Sequence, residues 1–363
     1  MTLFLAVMVT DVIILDVFNT LGMPTSTTVS LVFELLGGAF ILATLKMYGD
    51  DSLNYGVLLN SNKALEVIMG IFSSVIIAFV FGAFVMWLSR IIFTFNYRKH
   101  SRYSIAIFGG IAFTALSYFI FMKGLGKSPY LPAEVRDYID QNLGFLICIT
   151  FVVSAVVMEF LHLCRVNIFK FTVLMGTFAL AMAFAGNDLV NFIGVPLAGL
   201  SSYQDYMANA NGAAPDQFMM TSLMESAKTT PGFLLVAGAV MIIAMATSKK
   251  AQNVIKTSVD LSRQDEGDEM FGSSSAARVI VRNCQATDSW LKQFMPKALM
   301  NWINSRFDKK DVELEESAAF DVVRAAVNLV LASMLITIGT NLKLPLSTTY
   351  VTFMVAMGSS LAD

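Results

Sequence analysis

The sequence predicts an all-α, polytopic membrane protein made of inverted-topology repeats with re-entrant or broken helices. Three observations predict it. Of 363 residues, 56% are hydrophobic and only 14% charged, against about 25% charged in a soluble domain. The apolar residues fall in long runs, each near the roughly 20 residues with which a helix crosses a hydrocarbon core. Finally, "PTSTT" at 24–28 returns as "PLSTT" at 345–349, each time opening an apolar helix.

In chain order, the apolar runs are 3–21, 27–48, 64–94, 103–122, 143–163, 168–186, 232–247 and 319–340, and a last one from 346 is still apolar at Asp363. The 64–94 run is long enough to tilt or reach into water. A shorter apolar stretch, 189–200, reads as half a span. Both termini lie inside apolar runs, which predicts a piece of a longer membrane protein; a complete protein with unusual ends is the alternative. The first run holds Asp11 and Asp16 and lacks the basic leader and cleavage site of a signal peptide.

Basic residues orient the runs. Arg90, Arg98, Lys99 and Arg102, then Arg165 and Lys170, then Lys249 and Lys250 mark cytoplasmic connections. The connections 123–142 and 201–230 then lie outside. The first contains "LPAEVRDYIDQNLG", a predicted short surface helix, and the second contains "SSYQDYMANANGAAPDQ", a predicted exposed loop. Residues 248–318 form a cytoplasmic loop. It separates a membrane part at 1–247, the end of one repeat and the start of the next, from a membrane part at 319–363. Within the loop, Trp290, Leu291, Phe294, Leu299, Trp302 and Ile303 stand among basic residues. They predict an interfacial amphipathic helix broken at Pro296, in a tether rather than a regulatory domain.

Several function classes are excluded. A net charge of −2 gives no case for a nucleic-acid partner. Cys148, Cys164 and Cys284 have neither disulfide nor metal spacing. The two histidines, His100 and His162, lie in a basic loop and beside a short turn, and no nucleophile–base arrangement is visible, so the chain has no candidate catalytic residue and does not read as an enzyme. Glu159 and His162 share a helix face, but one Glu-x-x-His is half of what a di-iron bundle needs; Glu159 is expected to pair with Arg165 or line the interior. Asp321 and Arg324 are spaced for an ion pair.

The repeated segment carries more. With Pro24 set on Pro345, Ser26, Thr27 and Thr28 fall on Ser347, Thr348 and Thr349, and Gly37 falls on Gly358. Counting spans from the basic loops, the helix from 27 runs outward and the helix from 346 inward, so the two segments face opposite sides. Proline suits the start of a helix, and Ser or Thr caps its free N–H groups. Such a start is also an anion site. Two of them, each with three hydroxyls, would grip one small oxyanion near the midplane. Glu34 sits two turns along the first copy, where its mate is Val355, so any role for it is asymmetric.

A second motif is "AFAGNDLVNFIGVPLAG" at 183–199. A carboxylate in an apolar span is costly unless it pairs or binds a cation. Asp188 with Asn187 therefore reads as a cation site, and Asn187 with Asn191 as donors to an anion. Gly186, Gly194 and Pro196 predict a local unwinding of the helix there. An Asx cap at an ordinary helix end is the alternative.

"GNDLVNFIGVPLAG" resembles the Gly-Asn-Asp-x-x-Asn-x-x-Gly signature of the inorganic phosphate transporter family. "MPTSTTVSLVFELLGG" and "LPLSTTYVTFMVAMGSS" resemble that family's Pro-x-Ser-Thr-Thr segments. Each half of such a transporter carries one copy of both, inverted; here one Asn-Asp copy is present. The resemblance implies that Ser26, Thr27, Thr28, Asn187, Asn191, Ser347, Thr348 and Thr349 bind phosphate, and that Asp188 and Asn187 bind the cation. It implies cation-coupled phosphate transport by alternating access, with Na⁺ or H⁺ as coupling ion and no other cofactor. Another oxyanion such as sulfate is the alternative substrate. A homodimer in a bacterial inner membrane is implied as well.

Overall fold

The computed structural model describes residues 2–49, 52–94, 102–118, 132–212, 230–260, 296–307, 321–342 and 344–362, with positions 214, 218, 275, 278, 279, 281–283, 285 and 286. Among them, helix is the only regular element. In order come α1 (Thr2–Thr20), α2 (Thr27–Gly49), α3 (Tyr55–Leu58), α4 (Ser61–Phe93), α5 (Arg102–Ser117) and α6 (Ala133–Gln141). After them come α7 (Leu143–Leu163), α8 (Ile168–Asn209), α9 (Pro231–Thr247), α10 (Lys249–Asp260), α11 (Lys297–Arg306), α12 (Val322–Asn341) and α13 (Thr348–Ala362). Six helices, α1, α2, α4, α7, α8 and α12, are long and apolar enough to cross a membrane.

Short polar side chains set where the spans begin. Asn60 opens α4 by accepting from the Lys63 N–H at 3.0 Å. Asn167 opens α8, accepting from Phe169 and Lys170 at 3.1 and 3.2 Å. Asp321 opens α12, accepting from Val323 and Arg324 at 2.8 and 3.1 Å. Each satisfies N–H groups that the helix itself leaves free.

One expected element is corrected. The runs 168–186 and 189–200 are a single 42-residue helix, continuous through Gly186, Gly194 and Pro196 and on to Asn209. The predicted unwinding is absent, and 201–209, expected as loop, is helical. Proline removes one helix hydrogen bond, and a span tolerates that loss where neighbours support the helix. The Asn187 and Asn191 amides also bond sideways to another helix rather than to their own backbone. The surface helix expected near 131–144 is α6; residues 119–131 lie outside the described residues. Most of the 248–318 loop lies outside them too. Of its amphipathic segment, Trp290, Leu291 and Phe294 lie outside the described residues, and the part after Pro296 is α11, with Leu299 and Trp302 exposed. The Asp321 carboxylate pairs with Arg90, a residue that is completely buried, joining the end of α4 to the start of α12.

The helices are arranged around α8. Residues 2–49 form one helical hairpin, in which Val7 and Leu31 pack on Val195 of α8 and Phe4 lies against Gly199. Residues 321–362 form a second hairpin. Val323 and Ala326 of α12 cluster with Ile168 and Phe169 at the other end of α8, and Leu329 lies against Gly176. The hairpins thus reach the middle of α8 from its opposite ends. By helical rise α8 is about 63 Å long and extends past a roughly 30 Å hydrocarbon core on both sides. Its midpoint is Asp188.

The second hairpin is held more tightly than the first. A Cβ at Gly358 of α13 would collide with the Phe79 carbonyl of α4, and a Cβ at Gly82 of α4 would meet the Val355 backbone. The two helices touch backbone to backbone, as small residues allow in membranes. Gly37, the sequence mate of Gly358, has nothing within 4 Å. The two glycines match in register but not in environment.

Candidate functional site

Both repeated segments start a helix in the same way. Ser26 Oγ accepts from the Val29 N–H at 3.2 Å, and Ser347 Oγ accepts from the Tyr350 N–H at 3.0 Å. The carbonyls of Ser26 and Ser347 accept from Ser30 and Val351 at 2.9 and 3.0 Å. Both serines are buried, at 2% and 0% exposure. They are N-caps, each bonding the third N–H of its helix. Their hydroxyl oxygens accept from backbone, as the capping expected from the sequence requires, and their hydroxyl protons remain to offer a ligand.

The threonines behind the caps face α8. Asn191 Nδ2 donates to Thr28 Oγ1 at 2.7 Å, and Asn187 Nδ2 reaches the same oxygen at 3.4 Å. Thr348 Oγ1 donates to Asp188 Oδ1 and Oδ2 at 3.0 and 3.2 Å. Asn187 Nδ2 donates to Asp188 Oδ1 at 3.2 Å. The Thr27 hydroxyl lies close to the same carboxylate. Thr27 and Thr348 are register mates in the repeat, so equivalent threonines of the two hairpins meet on one carboxylate at the midpoint of α8.

The structure therefore brings Thr27, Thr28, Asn187, Asp188, Asn191 and Thr348 into one centre. Thr349, half-buried, sits beside Thr348 in the first turn of α13. An open cavity of about 370 Å³ lies against the cap of α2, lined by Thr25, Ser26, Ser30 and Glu34, with Tyr350 of the second hairpin also contributing. Ser30 and Tyr350 were not among the expected site residues. Neither has a signal of its own: Ser30 lies one turn past its cap, and Tyr350 matches a valine in the other copy. The centre can hold a cation on the carboxylate and turn hydroxyl and amide donors toward an anion. Among the described residues, no cluster of His, Cys, Asp and Glu suits a metal ion.

The model of the phosphate transporter family matches residues 1–258. Curated proteins and solved structures returned no match. The matched stretch holds the first hydroxyl segment and the Asn-Asp motif. The second hydroxyl segment lies beyond it, and the contact of Thr348 with Asp188 places that segment at the same centre. A family of transporters accounts for a polytopic chain, with phosphate as its substrate and the membrane as its surroundings. This chain belongs to the phosphate transporter family.

Proposed function

We propose that the chain moves inorganic phosphate by cation-coupled symport through alternating access, with Na⁺ or H⁺ as the coupling ion. The observation that supports this most is the meeting of two oppositely directed hairpins on one turn of α8, with Thr348 bonded to Asp188 and Thr28 to Asn191. In this reading the hairpins are an inverted repeat that rocks about the centre. Phosphate carries one or two negative charges, and driving it against a negative interior costs about 2.3 kcal/mol per charge per 100 mV. A co-transported cation offsets that cost.

The chemistry of a hydroxyl supplies the coupling. Thr348 has one proton, and without ligand it goes to Asp188. It turns to phosphate only when something else neutralises the carboxylate. A cation held by Asp188 and Asn187 does this, so cation binding prepares the anion site. Thr27, Thr28, Asn191 and Thr349 complete the donors, together with the remaining protons of Asn187, Ser26 and Ser347. We place the protein in a bacterial inner membrane as a homodimer.

The test is uptake of labelled phosphate into proteoliposomes by the full-length gene product, with and without a Na⁺ gradient and across a pH gradient. Gradient-driven, saturable uptake that Asp188→Asn abolishes is expected. Uptake by Asp188→Asn equal to the unaltered protein overturns the coupling assignment. Equal competition by sulfate makes the protein a general oxyanion permease.

A further inference from the structure

A second ionisable group of residues lies in the first hairpin, away from Asp188. Asp11 of α1 and Glu34 of α2 are carboxylates in apolar helices, close enough for the charge of Asp11 to act on Glu34. Ser30 stands between them. Its hydroxyl donates to Glu34 Oε1 at 2.8 Å and lies close to Asp11. A hydroxyl has a single proton and can donate it to one carboxylate at a time. With that proton on Glu34, Asp11 is satisfied only when its carboxyl carries a proton itself or a cation bridges the two carboxylates.

The remaining oxygens make the same demand. Asp11 Oδ1 and Glu34 Oε2 are buried and bonded to nothing, and Asp11 as a whole is 3% exposed. Among the described residues, no Lys, Arg or His lies within ion-pair distance of either carboxylate; the nearby Asp16 has Lys250 as its partner. Two like charges that share a site at membrane depth repel and are poorly solvated. Glu34 and Ser30 also line the open cavity that reaches the cap of α2, so the pair has a route to water. The register mate of Glu34 is Val355, completely buried in α13, so only the first hairpin has this pair.

We infer that Asp11, Ser30 and Glu34 form a binding site for one monovalent cation, Na⁺ or a proton, separate from the Asp188 centre. One such cation takes an oxygen from each carboxylate and cancels the repulsion between them. By helical rise Glu34 lies about 10 Å along α2 from Thr27, on the side from which the first hairpin enters. Its role as a second coupling ion rests on the symport proposed above; its existence does not.

The experiment uses the purified full-length protein with Asp188→Asn, which silences the central carboxylate, and no phosphate. The thermal unfolding midpoint is followed as NaCl replaces choline chloride at constant pH, and separately as pH falls without Na⁺. The expected result is stabilisation by Na⁺, which identifies a Na⁺ site, or by acid alone, which identifies a proton site. Adding Glu34→Gln raises the half-effective cation concentration about ten-fold or more, the effect of losing one charged ligand. Asp11→Asn does the same from the other helix and serves where Glu34→Gln does not fold. A midpoint indifferent to both Na⁺ and pH overturns the inference, as does a Glu34→Gln or Asp11→Asn protein that responds like its parent. Because phosphate is absent throughout, a failure of phosphate uptake leaves this result standing, and a flat midpoint here leaves the uptake assay standing.

Discussion

Replacing Thr348 by valine removes one hydroxyl and keeps the shape of the side chain. In the structure that hydroxyl donates to both oxygens of Asp188, at 3.0 and 3.2 Å, from a residue that is 2% exposed. A hydrogen bond to a charged group is worth about 1.5–3 kcal/mol net. At about 1.4 kcal/mol per decade, its loss amounts to roughly 10- to 150-fold in affinity. The two ligands feel it differently. With a cation on Asp188, the Thr348 proton is free for phosphate, so the variant loses phosphate affinity. Without a cation, the same proton stabilises the bare carboxylate, so its removal leaves cation affinity unchanged or higher. Initial rates of phosphate uptake in proteoliposomes, titrated with phosphate at saturating cation and then with cation at saturating phosphate, separate the effects. The KM for phosphate is expected to rise roughly 10- to 150-fold while the half-activating cation concentration does not rise. Thr348→Ser is expected to restore both. A KM for phosphate unchanged in Thr348→Val refutes the hand-over of this proton.

Other expectations concern the frame around the centre. Ser26→Ala and Ser347→Ala each remove an N-cap and are expected to lower stability by about 1 kcal/mol, read from denaturant unfolding in detergent; equal losses check that the two caps are equivalent. Arg90→Met removes the buried guanidinium that pairs with Asp321 and is expected to cost about 3–5 kcal/mol; Asp321→Asn added to it is expected to recover much of the loss, since asparagine still caps α12. Gly358→Leu drives a side chain into the Phe79 carbonyl of α4 and is expected to abolish the monodisperse peak in size-exclusion chromatography. Gly37→Leu, facing open space, is expected to keep that peak.

Most of the fold was legible as hydropathy, because a lipid-facing helix must be apolar nearly all round. The centre was legible as chemistry. Asp188, Asn187 and Asn191 stand out in an apolar span, and the hydroxyl triplets repeat in register. The continuity of α8 was not legible. Gly186, Gly194 and Pro196 are breakers by local propensity, and what outweighs them is support from helices distant in sequence, including the Thr28 contacts of Asn187 and Asn191. The division of labour within each triplet was hidden as well. Serine beside proline suits a cap and a ligand equally, and only the backbone geometry assigns Ser26 and Ser347 to capping. The Arg90–Asp321 pair joins residues 231 positions apart. Local spacing draws attention only to Arg324, one turn from Asp321 on the same helix, and cannot reveal a partner so distant in sequence.

The glycine contact between α4 and α13 bears on how the molecule can move. Where main chain lies on main chain, there is no layer of side chains to shear, so these two helices travel as one piece. The clamp at Arg90 ties α12 into the same piece. The first hairpin meets α8 through the side chains of Phe4, Val7 and Leu31 and the Thr28 hydrogen bonds, a side-chain layer that can repack by changing rotamer. In the alternating access proposed above, exposure of the centre to one side and then the other falls to that softer seam, with one jaw fixed and the other hinged.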